Sequence, residues 1–529
     1  MKNPARRRAC LARIAALACA SVFGLSAQAQ VEPADPLRRA DAAAIAAARA
    51  AVARENPKLM QAIRRGGAFS GEAFSQAIAN HMYSRSDAAA IADARAMLKV
   101  EPQGPRSWLL RLPFVNIAVF ETDAGLVLID SGYAPAGPAL RDALKSLSAK
   151  PVHTIVHTHY HADHAWGAWA LMDLGAGGTA PRIVTTEEFI DQMGMDLRSH
   201  GLVQRNNQQR TVPLTWDDVI RPTLTFHGRT TLAIGGEDFV LTHARGETED
   251  QLWAWVPSRR IVVSADYLQD FLPNAGNGKR RQRFAEDWAQ ALRDMAALRP
   301  ARVLTMHGPA LLDEATIQDK LAAHAAALQS IADQTLAGLN AGLRVDQAVE
   351  AVALPPVLAK RPDLRPDYVT AQDISRMVVK QYGGWWDDIP SHWNPAPLAK
   401  QAQAIAAAAG GAGALIDRAK QTSRSDPAVA ASLADWAWLA APGDAVVLRG
   451  ALEVYGARVD EHTTTQEALV YLEHMIRLKL GLAELARAGR TQVSPACVAQ
   501  LRHGRRLQGC SLCTGGIFQF GSSTSGRGW

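Results

Sequence analysis

The pattern of apolar and polar positions changes three times along the chain. Residues 30 to about 100 are rich in alanine and helical in period, with a break expected at Gly66-Gly67. From Trp108 the period shortens. "WLLRL", "VNIAVFET" and "GLVLIDSG" are short apolar or alternating runs bounded by Gly, Asp and Pro, and they predict strands. Strand-like "RIVTT", "TLAIG", "DFVLTHA", "LWAWV", "RIVVSA" and "RVLTMHG" follow, interleaved with helical stretches such as "FAEDWAQALRDMAAL". That alternation predicts an α/β domain over residues 101–330. Residues 340–490 then read as wholly helical, with amphipathic stretches such as "TQEALVYLEHMIRLKLGLAELARAG". Residues 491–529 are rich in Gly and Ser and lack periodicity, which predicts a disordered tail.

Charge changes this picture little. The formal net charge is +6, but residues 1–29 and 491–529 carry nine of the 57 basic residues and no acid. The body therefore has 48 basic against 51 acidic residues, a net of −3, which argues against a nucleic-acid partner. The basic start "MKNPARRRACLAR" precedes the uncharged "IAALACASVFGLS" and Ala27-Gln28-Ala29, the pattern of a secretory signal cleaved after Ala29. The uncharged run has 13 residues, short of the roughly 20 needed to cross a bilayer, so no stable membrane insertion is expected. Export to the periplasm or beyond is the expectation. Cys10 and Cys19 fall in the leader and Cys497, Cys510 and Cys513 in the tail, so a metal site in the body must use His and carboxylates.

One stretch concentrates the chemistry. "IVHTHYHADHAWG" places four of the fifteen histidines between His157 and His164. "HTIVH" reads as a strand ending near Thr158, which puts His159, His161, Asp163 and His164 on the loop into a helix "WGAWALMDLG". Loops at the carboxyl ends of strands are where α/β folds carry their sites. Alternation points His159 and His161 the same way, toward one ion, and turns Asp163 and His164 toward a second position. Imidazole with carboxylate suits zinc best, with iron or manganese next. His153 and His157, on the strand itself, are read as structural.

"THYHADH" matches the HxHxDH motif of the metallo-β-lactamase fold superfamily, and "LVLIDSGY" resembles the strand and Asp-containing turn that precede it there. The resemblance implies an αββα sandwich. It also implies a third histidine in a GHT-type segment, a later bridging aspartate and a final histidine in a GHG-type loop. Here "RGETEDQLWAWVP" carries Glu247 in place of the third histidine, "VVSAD" ends in Asp266 nineteen residues on, and "LTMHGP" supplies His307. Glutamate at that position, together with "QYGGWWDDIPSHWNP" ahead of a helical region, resembles the secreted alkyl sulfatases of this superfamily, which carry an all-helical dimerisation domain. The bridging acid is Asp266 where those enzymes have Glu, and the sterol-carrier-like domain that usually closes them is not recognised.

The resemblance implies two Zn²⁺ per chain. One would be held by His159, His161 and Glu247 and the other by Asp163, His164 and His307, with Asp266 bridging. Water between two such cations has its pKa lowered to about 7 or below. Three carboxylates and a hydroxide make the site formally neutral, so an anionic sulfate ester needs a separate guanidinium. "GKRRQRF" offers Arg280, Arg281 and Arg283 for that role. Trp385, Trp386 and Trp393 are candidates for an alkyl channel, although packing in a core or interface is the commoner use of such residues. The reading that results is an exported, homodimeric hydrolase of alkyl sulfate esters. Hydrolysis of lactones, lactams or thioesters on the same scaffold is the alternative. A non-catalytic helical interaction protein is the third, and it predicts a broken ligand set.

Overall fold

The computed structural model describes residues 35–67 and 75–491. The leader-like residues 1–29 and the tail beyond Thr491, with its three cysteines, lie outside them. Twelve strands form two sheets among the described residues. The first holds β1 (Lys99–Gly104), β2 (Ser107–Arg111), β3 (Asn116–Glu121), β4 (Leu126–Ile129), β5 (Val152–Val156), β6 (Arg182–Thr186) and β7 (Leu224–Phe226), side by side in that order. Its first four strands are antiparallel and its last four, starting again from β4, are parallel. The second holds β8 (Arg229–Ile234), β9 (Glu237–His243), β10 (Leu252–Val256), β11 (Ile261–Val263) and β12 (Arg302–Leu304), with only the β11–β12 pair parallel.

Alternation along the second sheet builds the sandwich. Leu252, Ala254 and Val256 of β10, Phe239 and Leu241 of β9, and Ile261 and Val263 of β11 share one core with the first sheet. Their intervening neighbours Trp253, Trp255, Val240 and Val262 face the other way, onto the helices Ala285–Ala297 and Glu314–Asn340. The helix Gly137–Leu147 packs Leu140 and Leu144 against the first sheet, which completes four layers.

Every strand expected from sequence is present. β1 and β7 were not expected, and both are edge strands. β1 is polar and contains Pro102, which lacks the donor a central strand needs, and β7 is three residues long. The expected helix at "WGAWALMDLG" is replaced by a one-turn helix, Ala162–Ala165, and a 3-10 turn, Gly167–Leu171. The cause is a close crossing: the Trp166 and Gly167 amides both donate to the Gly132 carbonyl, and a Cβ on Gly167 would lie 1.9 Å from the Ser131 oxygen.

The helical regions divide differently from their order in sequence. Val345–Glu350 and Ala371–Tyr382 pack on the sandwich, with Val352, Ile374 and Val378 in its outer core. The later helices form a bundle with the N-terminal ones, in which Val52, Leu59 and Ile63 meet Leu415, Leu448 and Leu472. The helix Pro57–Gly67 runs through the expected glycine break. Gly66 serves a close approach instead: its amide donates to Thr465 Oγ1 at 3.0 Å, and a Cβ there would lie 2.4 Å from that oxygen. No described helix is long and apolar enough to cross a membrane.

Gly167→Ala should cost about 1–3 kcal/mol, because the methyl group meets a backbone carbonyl that cannot move aside cheaply. Gly201→Ala, in an open position on the helix His200–Asn207, should stabilise by about 0.5–1 kcal/mol. Urea unfolding of both variants checks the pair, and equal effects would contradict the crossing.

Candidate metal centre and adjoining pocket

The centre starts from one buried carboxylate. Asp130 follows β4 with φ +68° and is fully buried. It accepts the Thr158 amide at 2.7 Å and the Thr158 hydroxyl at 2.9 Å, and its Oδ2 lies 2.8 Å from His164 Nδ1. Three bonds of this kind offset the cost of left-handed backbone at a non-glycine residue. They also fix the bend that carries the histidines past the end of β5.

Beyond that bend the chain is not extended, so bends rather than strand alternation aim the side chains. His159 Nε2 and His161 Nδ1 come within 2.9 Å of each other, and His161 Nδ1 lies 3.7 Å from Glu247 Oε1. On the other side, Asp163 Oδ2 is 3.6 Å from His164 Nε2 and 3.7 Å from His307 Nε2. Asp266 stands between the two groups. Its Oδ1 is 3.3 Å from His164 Nε2, and its Oδ2 is 3.1 Å from His307 Nε2 and 3.9 Å from His159 Nε2. The carboxyl ends of β5, β9, β11 and β12 supply these residues. All seven candidate ligands therefore converge, while His157 sits apart, stacked on Phe189 and pushed down to about 3 by burial.

The surroundings fit a metal. His164 Nε2 and Asp266 Oδ1 are buried, face each other and have no hydrogen-bond partner. Three histidines have their other nitrogen committed: His159 to Thr158 Oγ1 at 3.1 Å, His164 to Asp130, and His307 to the Phe114 carbonyl. Such outer bonds fix the tautomer and aim the lone pair inward. Burial, then the neighbouring imidazoles, pushes His159 and His161 well below the ordinary range, which keeps them neutral and able to ligate. Burial also raises Asp266, but His164, His307 and His159 more than reverse it and hold it well below the usual carboxylate range. Glu247 is pushed up to about 7 by burial, against the pull of Arg283.

The three candidate arginines part company. Arg283 is buried, with Nη2 2.7 Å from Glu247 Oε1 and a second bond to the Asn274 carbonyl, so it holds a ligand rather than awaiting a substrate. Arg281 pairs with Asp196 at 2.8 Å, donates to the Gln192 carbonyl at 3.1 Å, and lies over the Tyr160 ring. Among the described residues, the Arg280 guanidinium has no hydrogen-bond or ion-pair partner, and it faces the same pocket as His161, Asp163 and Asp266. Its position in the loop is fixed from both sides: Lys380 donates to its carbonyl at 3.3 Å, and the preceding Lys279 pairs with Glu473 at 2.6 Å.

That pocket encloses about 650 Å³. Its apolar wall comes from Met60, Ile63, Met195, Leu202, Leu469 and Leu472, hence partly from the helices at both ends of the described chain. The candidate channel tryptophans do not line it. Trp385, Trp386 and Trp393 instead meet one another edge-on or tilted, 5.2–6.5 Å between ring centres, with Trp385 69% and Trp393 65% exposed. Sequence reasoning missed Asp130 as the orienting carboxylate and Arg283 as the partner of Glu247. An Asp-Ser-Gly turn closing an apolar strand was the available signal for the first.

The model of the metallo-beta-lactamase superfamily matches residues 110–307, and that of alkyl sulfatase dimerisation matches residues 344–480. The chain thus carries a metallo-beta-lactamase superfamily domain followed by an alkyl sulfatase dimerisation domain. Among curated proteins it is similar to the linear primary-alkylsulfatase of a Pseudomonas species, 27% identical over 319 residues, which are 55% of this chain and 60% of that one. It is also similar to the alkyl/aryl-sulfatase BDS1 of Saccharomyces cerevisiae, 23% identical over 343 residues, 58% of this chain and 52% of that one. The matches thus span little more than half the length of either relative. In fold it resembles the inverting sec-alkylsulfatase Pisa1 of a Pseudomonas species, with a TM-score of 0.65, 19% identity, and coverage of 84% of this chain and 78% of that one.

Asp130→Asn keeps the shape of the turn but loses the charge that orients His164. It should weaken metal affinity about 10–100-fold, read by competition with a chelator. Unchanged affinity would remove Asp130 from the centre's support.

Proposed function

We propose that the chain is a binuclear zinc hydrolase of alkyl sulfate esters. The observation that carries this reading is Arg280, a guanidinium without a hydrogen-bond or ion-pair partner among the described residues, lining the same pocket as a cluster that two zinc ions and a hydroxide would leave balanced in charge. His159, His161 and Glu247 would hold one zinc and Asp163, His164 and His307 the other, with the two oxygens of Asp266 facing both groups. When bound, the ions supply Lewis acidity and an ionised water at neutral pH. The chain's own residues do the rest. Arg280 takes the sulfate oxygens in the forked geometry of a guanidinium, which sets the ester against the metal cluster. Arg283 and Asn274, bonded to Glu247 Oε1 at 2.7 and 3.3 Å, keep that carboxylate turned toward His161. The alkyl tail lies along Met60, Ile63, Leu469 and Leu472, where each buried methylene is worth about 0.8 kcal/mol.

A lactone, lactam or thioester has no use for an unpaired arginine at this place, and a vestigial site would not keep all seven ligands in reach of one another. Export is part of the same proposal and rests on the leader-like residues 1–29. So is a homodimer: Trp385 and Trp393, exposed side by side around a half-buried Trp386, are an apolar surface of the kind a partner covers, and they stand inside the dimerisation match.

The purified protein should contain two zincs per chain and release sulfate from dodecyl sulfate. Arg280→Ala should lower kcat/KM roughly 10–100-fold, mainly through KM, by loss of a charged hydrogen bond. Faster turnover of neutral lactones than of dodecyl sulfate by the wild type would overturn the reading.

Light scattering should give a dimer at micromolar concentration, and replacing Trp385 and Trp393 together by serine should shift it toward monomer. A wild-type monomer would contradict the homodimer.

A further inference from the structure

A second cluster lies apart from the centre just described. Glu188 opens the helix Glu188–Arg198, His227 follows β7 at the edge of the first sheet, and His243 ends β9 in the second. Glu188 Oε1 is 3.0 Å from His227 Nδ1 and 3.8 Å from His243 Nδ1, and one ligand atom from each residue falls within 4.8 Å of the others. Ligands in a tetrahedral zinc site, at about 2.0–2.1 Å from the ion, stand about 3.3–3.4 Å apart, so only small movements would be needed.

Two further observations point to a cation rather than a plain ion pair. His243 Nε2 lies 2.7 Å from the Glu249 carbonyl, a bond in which only its N–H can donate. In the neutral ring this turns the Nδ1 lone pair toward the Glu188 carboxylate, so two acceptors face each other. A carbonyl on the far nitrogen is the usual outer bond of a metal-ligating histidine. The other carboxylate oxygen, Glu188 Oε2, is buried with no hydrogen-bond partner. The backbone beneath is fixed as well: the Glu187 amide donates to the Phe226 carbonyl at 3.0 Å and the His243 amide to the Gly228 carbonyl at 2.7 Å. Backbone at or next to each proposed ligand is thus bonded to backbone next to His227.

We infer that Glu188, His227 and His243 form a third metal site, selective for zinc or a similar divalent transition cation, with its remaining position open to water. Two imidazoles and one carboxylate are the donors such ions take. Bound there, the cation clips the last strand of one sheet to a strand of the other and to the first turn of the helix Glu188–Arg198. The far end of that helix places Met195 and Asp196 in the substrate pocket, so the site braces one wall without touching the reacting groups.

The test is zinc binding by the full chain at equilibrium dialysis against micromolar free zinc, with metal counted by elemental analysis. His227→Ala and His243→Gln should each bind one equivalent fewer than wild type and retain turnover of whatever ester the wild type cleaves. His159→Ala should keep this third equivalent while losing metal from the main centre. Zinc should also raise the Tm of wild type by several degrees more than that of His227→Ala. Equal zinc content and equal Tm shifts in wild type and both variants would overturn the site, whatever the main centre is found to bind. Because His227 is exposed, its replacement leaves folding intact, so a loss of zinc there reads on binding alone.

Discussion

A carboxylate buried at the end of β4 governs the geometry of the centre. Asp130 ties the ends of β4 and β5 together through Thr158 and aims His164. Burial raises its pKa, while His164 and the bonds it accepts from Thr158 pull the other way without fully reversing the rise. With that bend fixed, three residues of "HADH" face two different ways within a single turn of helix. The remaining candidate ligands arrive at fixed strand ends of the second sheet, and close packing of the sandwich carries the alignment between them.

Much of this arrangement was legible in the sequence. Strands of the sandwich announce themselves because one face of each is buried, and β10 shows it plainly: its tryptophans go to one core and its smaller residues to the other. β1 and β7 escaped notice because an edge strand need bury little. The seven residues that converge at the candidate centre were legible through motif and spacing. Its support was less so: Asp130 stands in a recognisable Asp-Ser-Gly turn, but Phe114 and Thr158 act through a carbonyl and a hydroxyl that carry no distinctive local pattern.

The arginine run shows where spacing stops informing. Arg280, Arg281 and Arg283 are equivalent as letters, yet one lines the pocket, one turns to Asp196 and one to Glu247. Tertiary partners decide among them. Arg283 is buried because it is already matched. Trp385, Trp386 and Trp393 teach the same lesson from the apolar side, since sequence left channel, core and interface open and their placement is at a surface.

The clasp between Lys279 and Glu473 reaches further than the loop it steadies. Glu473 also binds Arg477, and Arg477 binds Asp35, so one run of alternating charges links the arginine loop, the last described helix and the first. Met60 and Ile63 meet Leu472 across more than four hundred residues of intervening chain. Contacts that distant form late in folding. During synthesis the sandwich and its ligands are complete long before the segment around Glu473 leaves the ribosome. The side of the pocket's apolar wall that Leu469 and Leu472 supply is therefore completed last, and a nascent or truncated chain carries the cluster without that part of its enclosure.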